Sequence, residues 1–290
     1  MCPEVRSFDV NARADAPAAS VFKVVTASAL VERAGLSSET EQCYRGGTSR
    51  ITADELQDNP RLDKWCATLG IAMGRSLNTV FARLARKHLT PEDLARAGGS
   101  LGFGAPVPFV VPNEAPKISI PDEPLAFART PAGFWNTTLS PLAAASLAQT
   151  VANGGVALKP RIVRAIYRGT ELEWKDQRPP RVLRRAIKRE TANELSRMMS
   201  QTVSKGTARK EFYDQQGHPY LPNVTVAGKT GTLTDHDSGR HYTWFVGFAP
   251  AEKPEVALSA LVVNTPAWRI KAPLLARQVL RSYFVGNAKR

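Results

Sequence analysis

The sequence predicts an α+β protein, on three observations: a largely helical first half, a proline-rich excursion over residues 104–138, and a late meander of strands. The 290 residues suit one large domain or two modest ones. With 43% hydrophobic residues the chain can bury a sizeable core, which excludes a disordered polypeptide. There is no internal repeat and no low-complexity tract. Neither a run of 18 apolar residues nor a charged n-region followed by an apolar h-region is present, so the chain as written predicts neither export nor anchoring.

The elements follow in order. The first sixteen residues are polar and irregular. Pro17 to Gly35 reads as a helix: proline suits a first helical turn, glycine a C-terminal stop, and Phe22, Val25 and Ala29 recur at helical spacing. A loop rich in Ser, Gly and Arg runs to about Thr52. A helical region follows from Asp54 to His88, broken at Asn59-Pro60 and near Gly74. Thr90-Pro91-Glu92-Asp93 opens a short helix that Gly98-Gly99 closes.

Few of the seven prolines between 106 and 131 suit regular elements, so this segment reads as an excursion wrapping over the domain. Phe103, Phe109, Phe127, Phe134 and Trp135 need burial or a ligand there. Ser140 caps a helix that begins at Pro141 and stops at Asn153-Gly154-Gly155. Residues 157–187 read as short strands around a turn. Thr191 and Glu194 form a capping-box pattern for a helix running to about Ser204. Val224–Lys229, His241–Ala249 and Val256–Val263 read as strands, and Pro273–Val285 as the last helix.

The formal net charge of +13 favours anionic partners without choosing among them. The densest basic cluster, Arg181, Arg184, Arg185, Lys188 and Arg189, has no interleaved aromatics, so no nucleic-acid partner is expected. Of the three cysteines, Cys2 is incidental. Cys43 and Cys66 form either a disulfide in an exported domain or two buried thiols. No CxxC pair occurs, and neither metal nor cofactor is expected.

Three short motifs carry chemistry. Ser20-Val21-Phe22-Lys23 is S-x-x-K: a serine hydroxyl needs an adjacent base, and residues i and i+3 of a helix share a face. Lys23 must then be neutral part of the time, which burial and a second cation, Lys229, would favour. Ser76-Leu77-Asn78 is S-x-N, in which Ser76 can relay a proton and Asn78 can bind a substrate amide. Lys229-Thr230-Gly231-Thr232 is K-T-G-T at the end of a strand. Its lysine and threonines can hold a carboxylate, and its glycine admits a substrate backbone. The N–H groups of Thr232 and Ser20 could form an oxyanion hole. Each motif alone is weak; their order and context make the signal.

Together these segments resemble the penicillin-binding transpeptidase family. Ser76–Ala82 is similar to its S-x-N segment, Ser140-Pro141-Leu142 with Ala152–Gly155 to its helix after the excursion, Gly206-Thr207-Ala208 to its approach to the third motif, and Trp244–Phe248 to its following strand. The likeness covers about residues 15–285, and the spacings of 56 residues from Ser20 to Ser76 and 151 from Asn78 to Lys229 suit it. It implies an antiparallel sheet flanked by helices (15–35 and 156–290) with an all-helical subdomain and excursion (36–155), and a site between them.

The resemblance further implies a D,D-transpeptidase working outside the cytoplasm on peptidoglycan stem peptides ending in D-Ala-D-Ala, through an acyl-Ser20 intermediate. β-Lactams would be covalent inhibitors, and other cell-wall synthesis proteins would be partners. The first strands of the family's sheet are lacking, which would leave an open edge at Val256–Val263.

Competing readings are a D,D-carboxypeptidase, a serine β-lactamase and a non-catalytic or sensor-type penicillin-binding module. Leu77 inside the second motif, and the lack of E-x-x-L-N before Lys229, count against a class A β-lactamase; Asn78 counts against class D. Gly98-Gly99-Ser100-Leu101-Gly102 fits G-x-S-x-G, but a nucleophile elbow needs a strand before its serine.

Overall fold

Helix α1, Lys23–Ala34, is buried continuously from Lys23 to Leu30, so it is a core helix enclosed on all sides and not an amphipathic one. It belongs to a computed structural model that describes residues 9–286 apart from 48, 49, 135, 266 and 268. Cys2 and Trp135 lie outside the described residues. A two-residue strand, Ala16–Pro17 (β1), and a 3-10 turn, Ala19–Phe22, precede α1. Pro17 thus stands in a strand and not in the helix's first turn. Its carbonyl accepts the Trp244 indole N–H at 2.9 Å, a tertiary tie that local preference cannot foresee. Gly35 closes α1 as expected, at φ 66°.

The loop and helical stretch expected over 36–88 contain two strands. Glu41–Tyr44 (β2) and Trp65–Thr68 (β3) pair antiparallel with Cys43 opposite Cys66, and the two sulfurs form a disulfide. This resolves the cysteine alternatives in favour of the bridge. Helices α2 (Leu69–Arg75) and α3 (Asn78–His88) follow.

Helix α4, Pro91–Ser100, has the Thr90–Asp93 capping box but runs through Gly98-Gly99. Gly98 is there for packing: a Cβ would sit 2.7 Å from the Ile118 side chain. Ser100 is therefore helical, and the G-x-S-x-G match is no elbow.

The excursion holds a helix of its own, α5 (Pro124–Ala132), capped by the Glu123 carboxylate, with Pro131 in its last turn. Phe103 and Phe127 are buried, and the Phe103 ring meets Phe22 edge-on at 5.3 Å. Phe134 packs beside Ala128 and Ala132. Strand β4 (Thr138–Leu139) pairs with β1, and Ser140 caps α6 (Pro141–Ala152) as expected.

Short strands then appear at β5 (Val156–Leu158), β6 (Ala165–Arg168), β7 (Glu171–Lys175) and β8 (Val182–Arg185), paired as β5–β8 and β6–β7. Helix α7, Arg189–Ser204, is not started by a Thr191–Glu194 capping box. Thr191 donates to Glu32, and Glu194 accepts the Ser38 N–H, so both side chains serve tertiary contacts.

After α8 (Arg209–Phe212) come β9 (Ala227–Asp235), β10 (Arg240–Ala249), β11 (Val256–Asn264) and α9 (Ala272–Phe284). The three strands form an antiparallel sheet in the order β11-β10-β9. Successive residues of β10 face opposite sides. Trp244, Val246 and Phe248 join the main core with α1, α6 and α7, whereas Phe245 and Ala249 join Ala272, Ala276 and Leu280 of α9. Covered on both faces, β10 reads as a near-continuous apolar run. Among the described residues β11 pairs with no strand on its outer edge, and none of the helices is long and apolar enough to cross a membrane.

One polar cluster sits inside this framework. Arg83 of α3 is fully buried and grips Asp63 with two bonds of 2.7 and 2.9 Å; it also donates to the carbonyls of Glu55 and Cys43. The Arg83 bonds hold the Asp63 carboxyl well below the usual carboxylate range. A depressed acid stabilises the fold above its unfolded pKa and loses that contribution as pH falls.

Two outcomes follow. Asp63→Asn should cost about 3–5 kcal/mol, because the buried guanidinium loses its counter-charge; between about pH 4 and pH 2 the wild type should lose more stability than the variant, as read by denaturant melts at each pH. Reducing the Cys43–Cys66 bridge should cost about 3 kcal/mol by loosening the unfolded-chain constraint, seen as a lower Tm in reductant.

Candidate active site

The S-x-x-K motif lies on the 3-10 turn and the first residue of α1. In a 3-10 turn, side chains at i and i+3 eclipse. Lys23 Nζ therefore sits directly at Ser20 and donates to its Oγ at 2.8 Å. Ala19, just before the serine, has φ 49°, a left-handed conformation unusual outside glycine. Ser20 is part-exposed, whereas Lys23 is fully buried. Its Nζ also donates to Asn78 Oδ1 at 2.8 Å and to the Ala132 carbonyl at 2.5 Å, and lies 5.7 Å from the Phe81 ring centre. Burial first, and then the Lys229 cation, push the Lys23 pKa well below that of an ordinary lysine.

The second motif is a hinge between helices. Ser76 ends α2 at φ 60°, and Asn78 is the first residue of α3. That kink turns Asn78 toward Lys23 and Ser76 toward Lys229. Lys229 Nζ donates to Ser76 Oγ at 3.0 Å and to the Thr230 carbonyl at 2.8 Å. Lys229 too is fully buried, and burial lowers its pKa to about 7.

The third motif does not end a strand: β9 starts at Ala227 and continues to Asp235, so Lys229–Thr232 run along it. Side chains alternate, with Lys229 buried, Thr230 nearly so, and Thr232 open to solvent. Gly231 has a packing role in the structure. A Cβ there would press Trp244 and Val21 at 3.2 Å, so the glycine lets β9 lie against the 3-10 turn that carries Ser20. The sheet order leaves the other edge of β9 without a strand among the described residues.

The structure thus gathers Ser20, Lys23, Asn78, Ser76 and Lys229 into two linked hydrogen-bonded groups, with Thr230, Gly231 and Thr232 beside them. Five further residues pack into this cluster that the sequence reading did not place among the site residues. Thr207 places its hydroxyl 2.5 Å from that of Thr230 and donates its backbone N–H to the Gly74 carbonyl at 3.0 Å. Gly206 makes that crossing feasible, since a Cβ would meet Gly74 O at 2.0 Å. Ala132, Gly133 and Thr26 act from α5 and α1. The Gly206-Thr207 pair was visible in the sequence, but its hydroxyl contact spans 23 residues.

For metals, the cluster with ligand spacing among the described residues is Glu41, Cys43 and Cys66, and its sulfurs are joined to each other.

Residues 7–280 match the family described as penicillin binding protein transpeptidase domain. Peptidoglycan D,D-transpeptidase PbpA of Mycobacterium tuberculosis is 32% identical over 258 residues, 86% of this chain and 50% of that protein. Stage V sporulation protein D of Bacillus subtilis is 24% identical over 253 residues, 84% of this chain and 38% of that protein. The chain therefore spans about half the length of PbpA, and less of the sporulation protein.

Among solved structures, PBPA from M. tuberculosis superposes with TM-score 0.73 at 24% identity, covering 97% of this chain and 64% of that one. Its imipenem acyl-enzyme complex gives 0.71 at 25% identity, covering 95% and 62%. The D,D-transpeptidase domain of a peptidoglycan glycosyltransferase from Eggerthella lenta gives 0.76 at 23%, covering 98% and 68%. The likeness to these structures reproduces the α+β arrangement of helices around an antiparallel sheet. This chain belongs to the penicillin-binding protein transpeptidase domain family.

Proposed function

We propose that the chain carries out D,D-transpeptidation of peptidoglycan stem peptides through an acyl-Ser20 intermediate, and that β-lactams acylate the same serine. The observation that carries this reading is the buried Lys23 amine, 2.8 Å from Ser20 Oγ and with its pKa lowered. A lysine at its ordinary pKa would be a permanent cation at neutral pH; this one is made available as a base.

The geometry supports a stepwise path. The peptide end lies along the open edge of β9 as an added strand, which the unpaired main-chain groups favour. Its terminal carboxylate meets the Thr230 and Thr232 hydroxyls, with Lys229 supplying charge behind them. Asn78 takes a substrate amide. Ser20 Oγ attacks the carbonyl between the two D-alanines as its proton passes to Lys23 Nζ. The N–H groups of Ser20 and Thr232 receive the oxyanion. As the C–N bond breaks, the proton passes through the Ser76 hydroxyl to the departing D-alanine nitrogen. The amine of a second stem peptide then attacks the ester and gives a proton to Lys23, and as the ester C–O bond breaks Ser20 Oγ takes that proton back.

A β-lactam follows the first half of this path, but its leaving nitrogen stays tethered, so the acyl-enzyme persists. The relatives are cell-wall penicillin-binding proteins, which fits work outside the cytoplasm. Other cell-wall synthesis proteins belong to this reading as partners.

Incubation with a fluorescent penicillin should give a one-to-one adduct by intact mass, absent in Ser20→Ala; a folded wild-type chain without adduct refutes the reading. The acylation rate should rise with pH as Lys23 loses its proton. Because the Lys229 cation depresses the Lys23 pKa, Lys229→Gln should move the acid limb of that profile to higher pH. A limb that stays put, or moves down, would overturn the assignment of Lys229 as the cation that depresses Lys23.

A further inference from the structure

We infer that the last turn of α5, Pro131-Ala132-Gly133, is the positioning element of the nucleophile pair: the Ala132 carbonyl directs the Lys23 lone pair at Ser20, and Gly133 lets that turn close beneath the serine. This rests on the acyl-Ser20 reading and adds to it a residue set outside the three motifs.

The argument starts from counting protons. Lys23 Nζ has three oxygen neighbours in hydrogen-bond reach: Ser20 Oγ at 2.8 Å, Asn78 Oδ1 at 2.8 Å and Ala132 O at 2.5 Å. An ammonium fills all three with its three N–H bonds. A neutral amine has two N–H bonds and one lone pair. With both N–H bonds given to Asn78 and Ala132, the lone pair faces Ser20 Oγ, and the serine must donate. Without the Ala132 carbonyl, one N–H is released, and the amine can donate to Ser20 where it should accept.

The carbonyl is suited to this task. It belongs to the last turn of a helix, whose carbonyls lack intrahelical partners and carry partial negative charge. It therefore also steadies the ammonium that forms when Ser20 gives up its proton.

Two further observations show that the turn is held in place. Thr26, fully buried one turn along α1 from Lys23, donates its hydroxyl to the Pro131 carbonyl at 3.0 Å. Lys23 and Thr26 thus hold two successive carbonyls of α5. Gly133 has φ 91°, and a Cβ there would stand 2.3 Å from the Ala19 carbonyl oxygen and 2.9 Å from Ser20 Cα. Any side chain would push the turn off the serine or push Ala19 out of its left-handed conformation.

The elements packed against α1 carry charged side chains, and all but Lys229 are engaged elsewhere. Lys229 of β9 acts on it directly. Arg83 of α3 is bound to Asp63, Arg129 of α5 donates to the Ile51 carbonyl, Asp93 of α4 pairs with Arg33, and Glu194 of α7 accepts from Ser38.

The test is the second-order acylation rate against pH for wild type, Thr26→Val, Thr26→Ser and Gly133→Ala, with Tm and non-covalent ligand affinity measured alongside. Thr26→Val should lower the plateau about tenfold and move the acid limb to lower pH, because the ammonium loses an aligned acceptor; Thr26→Ser should restore both. Gly133→Ala should lower the plateau about 100-fold, the scale for an ångström of misplacement, with the non-covalent affinity kept. A wild type that forms no adduct would sink the acyl-serine reading itself. A wild type that acylates while Thr26→Val keeps its plateau and acid limb would overturn the positioning role alone. Slowing that only tracks a lower Tm, with the limb unmoved, would do the same.

Discussion

Two lysine side chains fully out of solvent within one site form the constraint on which the rest of this structure depends. Taking an ammonium out of water is expensive, and the cost falls when the group sheds its proton or finds oxygen neighbours. Both effects bear on Lys23 and Lys229. Each is lowered in pKa by burial, and each is ringed by hydroxyl, amide or carbonyl oxygens drawn from different parts of the chain. A lysine half-exposed at either place would keep its proton. The surroundings therefore have to be dry, close and polar only at chosen points, and that sets what the neighbouring helices and strands must do.

Helix α3 shows the requirement at work. Its first residue supplies the Asn78 carboxamide, its Phe81 ring lines the Lys23 pocket, and Arg83, two residues on, is buried against Asp63 and the carbonyls of Glu55 and Cys43. The disulfide fastens the same region by joining β2 to β3. An ion pair of this kind adds little net stability compared with apolar packing, but it fixes one geometry because misplacing it strands a charge. The α3 N-terminus is thus held in one place, with Asn78 against Lys23.

Glycines set the closeness of the remaining parts. Gly231 lets β9 press on the 3-10 turn that carries Ser20, and Gly206 lets the Thr207 segment cross α2. In each case the space a methyl group would take is already filled. The site is assembled from five separate stretches of chain, and it is their backbones, as much as their side chains, that come within contact distance.

Much of the site was legible in the amino-acid order because its chemistry is local. Ser20 and Lys23 are three residues apart, Ser76 and Asn78 two, and Lys229 to Thr232 contiguous, so each group stood out as a short motif, weak by itself and made specific by the order and context of the three. The helices with end signals, α1 at Gly35, α4 at Thr90 and α6 at Ser140, were legible for the same reason: a cap is a short-range interaction.

What only the tertiary structure decided is long-range. Pro17 was drawn into a strand by β4 and Trp244. Thr191 and Glu194 left their capping pattern for Glu32 and Ser38. Cys43 found Cys66 through strand pairing, and Ala132 reached Lys23 across 109 residues. Spacing carries no trace of such contacts, because a backbone carbonyl has no side-chain signature, and local preferences of about a kcal/mol yield to packing. The sequence by itself determined which residues could react; the fold decided which lone pair faces which proton, since that depends on oxygen atoms brought in from distant parts of the chain.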